Sequence, residues 1–174
     1  MDVKAKLRRI PSFKGVVFWD ITPILKDKQI FRECIRRLAN RFRGEDIDVV
    51  VSNEARGFII GAPLAYELGV GFVPIRKKGK LPSKCVDLTY EKEYECDIIE
   101  IHEDAIEKGQ KVLLIDDLLA TGGTVRANIA LIEKLGGKVA GIGFLIELDY
   151  LNGRKAIGEK YDVFSLIQCK TPDD

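Results

Sequence analysis

The stretch VLLIDDLLATGGTV, at residues 112–125, joins a buried strand to a helix through a loop of small residues. Four apolar residues lead into two adjacent acids, Asp116 and Asp117, and the loop ATGGT follows before a helical pattern of apolar residues begins. Two neighbouring carboxylates repel each other, and a hydrophobic core excludes them. The acid pair therefore indicates a site at the carboxyl end of the strand.

Strand and helix patterns alternate along the rest of the chain. Apolar, often β-branched runs predict buried strands at residues 48–52, 71–75, 112–115, 139–146 and 163–167. Helical periodicity is present at residues 30–42, at 58–68 and after Gly123, and glycines end the last two helices. The 174 residues fit one α/β domain with a central, mainly parallel twisted sheet flanked by helices. In such sheets ligands bind at the carboxyl ends of the strands.

Composition argues against several classes of partner. The 28 basic residues nearly balance the 27 acidic ones, so the net charge of +1 does not favour a nucleic-acid partner. No apolar run is long enough to span a membrane, and the N-terminus is not typical of a secretory signal. The cysteines form no CxxC motif, and with His102, interpreted as a strand residue, they do not indicate a zinc site. We interpret them as reduced thiols of a cytoplasmic protein.

The loop ATGGT has the properties of a phosphate-binding cup. Gly122 and Gly123 permit backbone conformations that turn several N–H groups inward, while the start of the helix adds unpaired donors and partial positive charge. No GKS or GKT follows, and GxGxxG is absent, which argues against a Walker loop or a dinucleotide site. A simple helix cap is the alternative. A sugar phosphate would also explain the two acids, because its vicinal hydroxyls could bind them.

Several segments are similar to one known family. LLIDDLLATGGTV resembles the 5-phosphoribosyl 1-pyrophosphate signature of type I phosphoribosyltransferases, and LLATGGT resembles its form in members that act on adenine. Further segments resemble other motifs of this family and occur in the same order along the chain. They are FWDITPIL (18–25), ARGFIIGAPLA (55–65), IRKKGKLP (75–82), TYEKEY (89–94), FLIEL, LNGR and YDVFSLI. The resemblance implies one phosphoribosyltransferase domain over residues 1–174, with an N-terminal hood at 1–29 and a mobile lid loop at 76–96.

The resemblance implies a reaction of adenine with 5-phosphoribosyl 1-pyrophosphate that gives AMP and pyrophosphate. Breaking the anomeric C–O bond builds positive charge on the ribose and negative charge on pyrophosphate, so the protein must orient the base, neutralise the leaving group and exclude water. Mg²⁺ is the implied cofactor, held mainly by substrate oxygens and water near Asp116 and Asp117, with no direct protein ligand expected. Because the family is typically dimeric, we expect a homodimer.

The resemblance also assigns roles around the donor. Asp116 and Asp117 would bind the ribose hydroxyls, with Asp117 close to the reacting centre. The turn at residues 53–57 would bind pyrophosphate through backbone amides, with a cis Glu54–Ala55 peptide, and Arg56 would reach the ligands. The residues expected to hold the 5′-phosphate are Ala120, Thr121, Gly122, Gly123 and Thr124.

Cations and acids of the lid segment form a second group. Arg76 and Lys80 lie in a run of four cations and match family residues that bind pyrophosphate, with a solvated loop as the alternative. Glu93 and Tyr94 match a lid pair, in which the Glu helps a proton leave the adenine ring and the Tyr closes over the site. Taken without the resemblance, Glu93 would be a solvent-facing residue.

The base site is the third group. Phe18 matches the aromatic residue that stacks on adenine, Leu118 matches the residue on its other face, and Val17 would offer backbone groups to the base edge. Core packing is the alternative for Phe18 and Leu118. Trp19 and Glu95 depart from the family pattern, and we expect them to flank the base site and the lid.

Two other functions are compatible with the sequence. The same chemistry could act on hypoxanthine or guanine, although the basic residue that usually recognises a 6-oxo group is not evident. A non-catalytic regulator that senses phosphoribosyl pyrophosphate is the other alternative. It is disfavoured because no segment is left for a winged helix and the lid residues Glu93 and Tyr94 are present.

Overall fold

The computed structural model describes residues 2–13, 15–91 and 96–174. Within them the chain forms nine strands and five helices, besides short 3₁₀ turns at Lys4–Lys6 and Asp149–Leu151. In chain order the elements are β1 (Arg8–Phe13), β2 (Val16–Asp20), α1 (Thr22–Lys26), α2 (Lys28–Phe42), β3 (Val49–Asn53), α3 (Arg56–Leu68), β4 (Gly71–Lys77), β5 (Cys85–Glu91), β6 (Cys96–His102), β7 (Lys111–Leu119), α4 (Gly123–Lys134), β8 (Lys138–Leu148), α5 (Gly153–Ile157) and β9 (Val163–Cys169).

A seven-stranded sheet forms the centre of the described residues, in the order β5-β6-β4-β3-β7-β8-β9. The strands β4, β3, β7, β8 and β9 are parallel, whereas β6 is antiparallel to both β4 and β5. The predicted α/β fold with a mainly parallel sheet is therefore confirmed. The hood contains a separate antiparallel pair, β1 and β2, followed by α1.

Side chains of β7 enter hydrophobic clusters on both faces of the sheet. Leu113 and Ile115 pack with residues of α2 and α3, while Val112 and Leu114 pack with residues of α4. Successive side chains of a strand point to opposite faces, so an unbroken apolar run is the pattern of a strand covered on both sides. This packing explains why the run before the acids contains no polar residue.

Two helix ends lie where the glycines predicted them. Gly69 follows α3 with a left-handed φ of 74°, and its N–H bonds to the carbonyl of Tyr66. Gly136, with a φ of 88°, follows α4. These φ values suit glycine because it has no Cβ to clash with the backbone.

The segment predicted as a lid contains more regular structure than a loop. Arg76 and Lys77 continue β4, and β5 pairs with β6 along its length, so the segment joins the main sheet. The mobility of this segment stays a prediction. Glu93, Tyr94 and Glu95 lie outside the described residues.

Three further expectations concern His102, the cysteines and membrane-spanning helices. His102 ends β6, as predicted for a strand residue. The free thiols are Cys34, Cys85, Cys96 and Cys169. Among residues 2–13, 15–91 and 96–174, every helix is too short or too polar to cross a lipid bilayer.

Candidate active site

The strands β3 and β7 are parallel, so their carboxyl ends lie at the same edge of the sheet. At that edge the two strands separate. Their pairing stops at Ser52 and Ile115, after which β7 continues beside β8 alone. From these neighbouring ends, α3 packs on one face of the sheet and α4 on the other. Because the connections after β3 and β7 run to opposite faces of the sheet, a crevice forms between the ends of these strands. In α/β sheets ligands bind in such a crevice.

A cavity of about 250 Å³ occupies this crevice. It brings together Arg56, the acid pair, Leu118 and the whole loop 120–124, all of which the sequence analysis proposed as site residues. Its lining residues are Asn53, Glu54, Ala55, Arg56, Asp116, Asp117, Leu118, Ala120, Thr121, Gly122, Gly123, Thr124 and Val125. Val17, Phe18, Arg76 and Lys80 lie outside this lining.

The acid pair is held tightly at the floor of the crevice. The N–H of Asp117 donates to Asp116 Oδ1 at 2.8 Å. A Cβ at position 57 would lie 2.7 Å from the same oxygen, so α3 can approach Asp116 only with glycine there. Burial raises the pKa of Asp116 well above its ordinary value of 3.8, and the neighbouring charge of Asp117 raises it further. Burial also raises the pKa of Asp117, although Arg56 opposes that shift.

Arg56 connects the acid pair to the aromatic residue of the hood. Its Nε lies 3.0 Å from Asp117 Oδ2, and its guanidinium carbon lies 5.3 Å from the centre of the Phe18 ring. The Phe18 ring also lies 5.1 Å, centre to centre, from Phe13. Arg56 therefore places positive charge between the candidate ribose site and the candidate base site.

Phe18 and Trp19 lie on opposite faces of β2, because successive strand residues alternate. Phe18 is half-buried and faces Arg56, whereas Trp19 is only 4% exposed and belongs to the hydrophobic core. Trp19 therefore lies in the core, and its position beside the base site stays a prediction. Leu118 lines the cavity and also packs against the core, and Val17 packs against the same cluster.

The side chain of Glu54 belongs to the site, although the sequence motifs predicted a role only for the backbone of its turn. Its carboxylate lies 2.9 Å from Arg76 Nε and 3.6 Å from Lys80 Nζ, and it accepts the N–H of Lys77 at 2.9 Å. Burial would raise the pKa of Glu54, but the N–H of Lys77 and the Arg76 guanidinium outweigh it and lower that pKa. Glu54 thus ties the two candidate pyrophosphate-binding cations to the wall of the cavity.

The turn that contains Glu54 has the backbone expected from the resemblance, since the Glu54–Ala55 peptide is cis. A second side chain that the sequence analysis did not select is Tyr90 of β5, whose hydroxyl lies 3.4 Å from Thr124 Oγ1. The one sequence feature that pointed to Tyr90 is its place in the segment TYEKEY. Glu93 and Tyr94 lie outside the described residues, so the roles predicted for them stay predictions.

The fold, the acid pair and the small-residue loop define a phosphoribosyl transferase. The chain matches the phosphoribosyl transferase domain over residues 20–173 and belongs to that family. Within the family it is similar to the adenine phosphoribosyltransferase of Thermotoga neapolitana, with 56% identity over 169 residues, or 96% of this chain and 99% of that one. The family resemblance of the sequence motifs is thereby confirmed.

Solved structures give the same relationship. The adenine phosphoribosyltransferase of Thermoanaerobacter pseudethanolicus is 51% identical, with a TM-score of 0.93 over 96% of this chain and 98% of that one. The enzyme of Saccharomyces cerevisiae is 40% identical, with a TM-score of 0.87 over 94% of this chain and 96% of that one. The yeast structure contains adenine and an imino-altritol bisphosphate.

Proposed function

We propose that this protein transfers the 5-phosphoribosyl group from 5-phosphoribosyl 1-pyrophosphate to adenine, producing AMP and pyrophosphate in purine salvage. The observation that carries the proposal is one cavity that joins the Asp116–Asp117 pair to the loop 120–124. The similarity of nearly the whole chain to adenine phosphoribosyltransferases supports the choice of base.

The donor would use both halves of this cavity. Its ribose hydroxyls would donate hydrogen bonds to Asp116 and Asp117. These bonds would stabilise the charged carboxylates, which burial disfavours. Its 5′-phosphate would accept N–H groups from the loop 120–124 at the N-terminus of α4. As the anomeric C–O bond breaks, the Asp117 carboxylate would favour the positive charge that develops on the ribose.

Pyrophosphate would lie between the turn at residues 53–56 and the cations attached to it. Arg76 and Lys80 are held beside this wall through Glu54, so they would already be in position when the donor and its pyrophosphate bind. Their charges would neutralise the negative charge that develops when pyrophosphate leaves. Arg56, at the start of α3, would add a third cation to the site.

Adenine would occupy the space between the hood and β7. Phe18 would stack on one face of the ring, Leu118 would contact the other, and backbone groups of Val17 would bind the edge. Glu93 and Tyr94 would act from the lid, with Glu93 assisting loss of the imidazole proton and Tyr94 closing the site.

Mg²⁺ fits the donor set of the crevice. Mg²⁺ prefers oxygen ligands and retains water, and Asp116 and Asp117 place carboxylate oxygens beside the expected ribose and pyrophosphate oxygens. In the described part of the chain, His, Cys, Asp and Glu side chains form no cluster of three or more suited to a metal ion. Because Mg²⁺ loses its water reluctantly, we infer that substrate oxygens and water would hold most of the ion, which when bound would neutralise charge on pyrophosphate.

We also infer a homodimer and a cytoplasmic location. Support for a homodimer comes from α3, where Ile59 is 42% exposed and Tyr66 is 88% exposed. Tyr66 lines a surface groove together with Phe31, Ile35 and Pro63. Sedimentation velocity at micromolar concentration tests it, with Tyr66→Glu expected to shift the protein towards monomer. Free thiols support a reducing compartment such as the cytoplasm.

A spectrophotometric assay with 5-phosphoribosyl 1-pyrophosphate and Mg²⁺ tests the main proposal. The purified protein is offered adenine, hypoxanthine, guanine or xanthine, and we expect the highest kcat/KM with adenine. Turnover of an oxopurine without turnover of adenine would identify a different purine phosphoribosyltransferase. Binding of the donor without turnover of any base would identify a sensor of phosphoribosyl pyrophosphate.

A further inference from the structure

The short helix α5 lies directly behind the phosphate cup. A Cβ on Gly153, the first residue of α5, would lie 2.2 Å from the carbonyl oxygen of Ala120. A Cβ on Gly122 would lie 2.8 Å from the carbonyl oxygen of Gly153 and 2.9 Å from the Cβ of Ala156. The backbones of the cup and of α5 are therefore in contact, and glycine is required on both sides.

An ion pair fixes α5 to the sheet. Arg154 Nε and Nη2 donate to the two carboxylate oxygens of Glu147, near the end of β8, at 2.6 and 2.7 Å. Arg154 Nη1 also donates to the carbonyl oxygen of Val163, at the start of β9, at 2.7 Å. A bidentate pair with a third hydrogen bond restricts the position of the guanidinium strongly. Because Gly153 precedes Arg154, this arrangement also fixes Gly153.

The electrostatics of Glu147 favour the paired state. Its side chain is only 4% exposed. Burial would raise the pKa of Glu147, but hydrogen bonds, led by that from Arg154, outweigh burial and lower that pKa. Removing Arg154 would leave a buried carboxylate without its main partner, which is costly inside a protein.

We propose that Glu147 and Arg154 are positioning residues of the 5′-phosphate site. Neither lines the cavity, but the pair holds Gly153 against Ala120 and Gly122 and so sets the shape of the cup. The inference rests on the proposed function, because the ligand of the cup is the donor's 5′-phosphate. It gives the segment LNGR a role, since Gly153 makes the contact and Arg154 anchors it.

Binding of ribose 5-phosphate, measured by calorimetry, tests the inference without requiring catalysis. We expect Arg154→Met to raise the Kd for ribose 5-phosphate and the KM for the donor by at least about fivefold. The KM for adenine should stay within about twofold, because the close contacts of Gly153 are with Leu119 and Ala120 rather than with the candidate base-site residues Phe18 and Leu118. Glu147→Gln keeps the shape of the side chain and should shift the same two constants in the same direction, by less.

Two further variants separate positioning from general stability. Arg41→Met removes an ion pair that joins α2 to Asp162, the residue before β9. Neither residue of that pair belongs to α5, so ribose 5-phosphate affinity should not change. Gly153→Ala places a Cβ against the carbonyl of Ala120 and should weaken that affinity even with the Glu147–Arg154 pair intact.

The outcomes distinguish this inference from the proposed function. If Arg154→Met, Glu147→Gln and Gly153→Ala lower the melting temperature but bind ribose 5-phosphate as the wild type does, while the wild type turns over adenine, the inference alone is overturned. A wild type that neither turns over a purine nor binds ribose 5-phosphate would overturn the proposed function, and this inference with it.

Discussion

Arg56 Nε lies 3.0 Å from Asp117 Oδ2, so the first residue of α3 neutralises part of the acid pair on β7. Asp117 is almost completely buried, whereas the Arg56 side chain is 39% exposed. A cation on the open side of a buried acid can keep the carboxylate charged while it remains accessible to a ligand. The ribose hydroxyls of the donor and Arg56 would therefore share this carboxylate.

Asp117→Asn tests the role of that carboxylate. We expect kcat/KM to fall at least about tenfold, because one charge-assisted hydrogen bond contributes about 1.5–3 kcal/mol. Steady-state kinetics with adenine and the donor measure the change. Asp46→Asn is the control, since Asp46 is exposed and pairs with Lys111 at the far end of β7. An unchanged rate for Asp117→Asn would show that the pair serves the fold instead.

Asp116→Asn should stabilise the empty protein at neutral pH while lowering its activity. Burial and Asp117 raise the pKa of Asp116 above its ordinary 3.8, so the folded state holds its proton more tightly than the unfolded state. That stabilisation is complete below the unfolded pKa and is lost as pH rises through the folded pKa. Asparagine cannot ionise, so the Asp116→Asn variant does not lose stability in this way as the pH rises.

Differential scanning fluorimetry across pH measures the effect. We expect the melting temperature of Asp116→Asn to exceed that of the wild type by about 2 °C or more at about pH 8, and by less at about pH 4.5. Addition of the donor should raise the melting temperature of the wild type more than that of the variant. A variant that is less stable at every pH would contradict the expected burial penalty.

Much of this site could be predicted because it is local in the sequence. The acids, the loop and the start of α4 are consecutive, so the strand pattern and the glycines were sufficient to place the loop 120–124 beside the acid pair. The link from Glu54 to Arg76 is different, since it depends on the parallel pairing of Asn53 with Ile75. A sequence pattern does not specify which strands become neighbours or in what register.

Trp19 shows a second limit of sequence patterns. The hood strand β2 has one face towards the core and one towards Arg56, and alternation alone does not decide which residue takes which face. An aromatic residue fits either side. Only the packing of the hood on the domain places Trp19 in the core and leaves Phe18 beside Arg56.

Arg76→Gln and Lys80→Gln should weaken use of the donor. Each removes a cation that Glu54 holds beside the cavity, and we expect kcat/KM for the donor to fall at least about tenfold for Arg76→Gln, the closer of the two. Lys84→Gln is the matched control from the same segment, because Lys84 is 83% exposed and its ion pair with Glu103 is long, at 3.9 Å. Equal losses in all three variants would indicate a general effect of charge rather than a pyrophosphate site.

Phe18→Ala and Trp19→Phe should separate base binding from core packing. Stacking of a base on an aromatic ring contributes about 1–3 kcal/mol, so Phe18→Ala should raise the KM for adenine by about tenfold and leave the KM for the donor within about twofold. Trp19→Phe should change neither constant, because Trp19 is buried in the core. Its Nε1 has no hydrogen-bond partner among the described residues, so phenylalanine removes an unsatisfied donor and offsets part of the lost apolar contact. Initial-rate kinetics with adenine and hypoxanthine measure both variants, and a change of base preference in Trp19→Phe would place the determinant of specificity in the core rather than at Phe18.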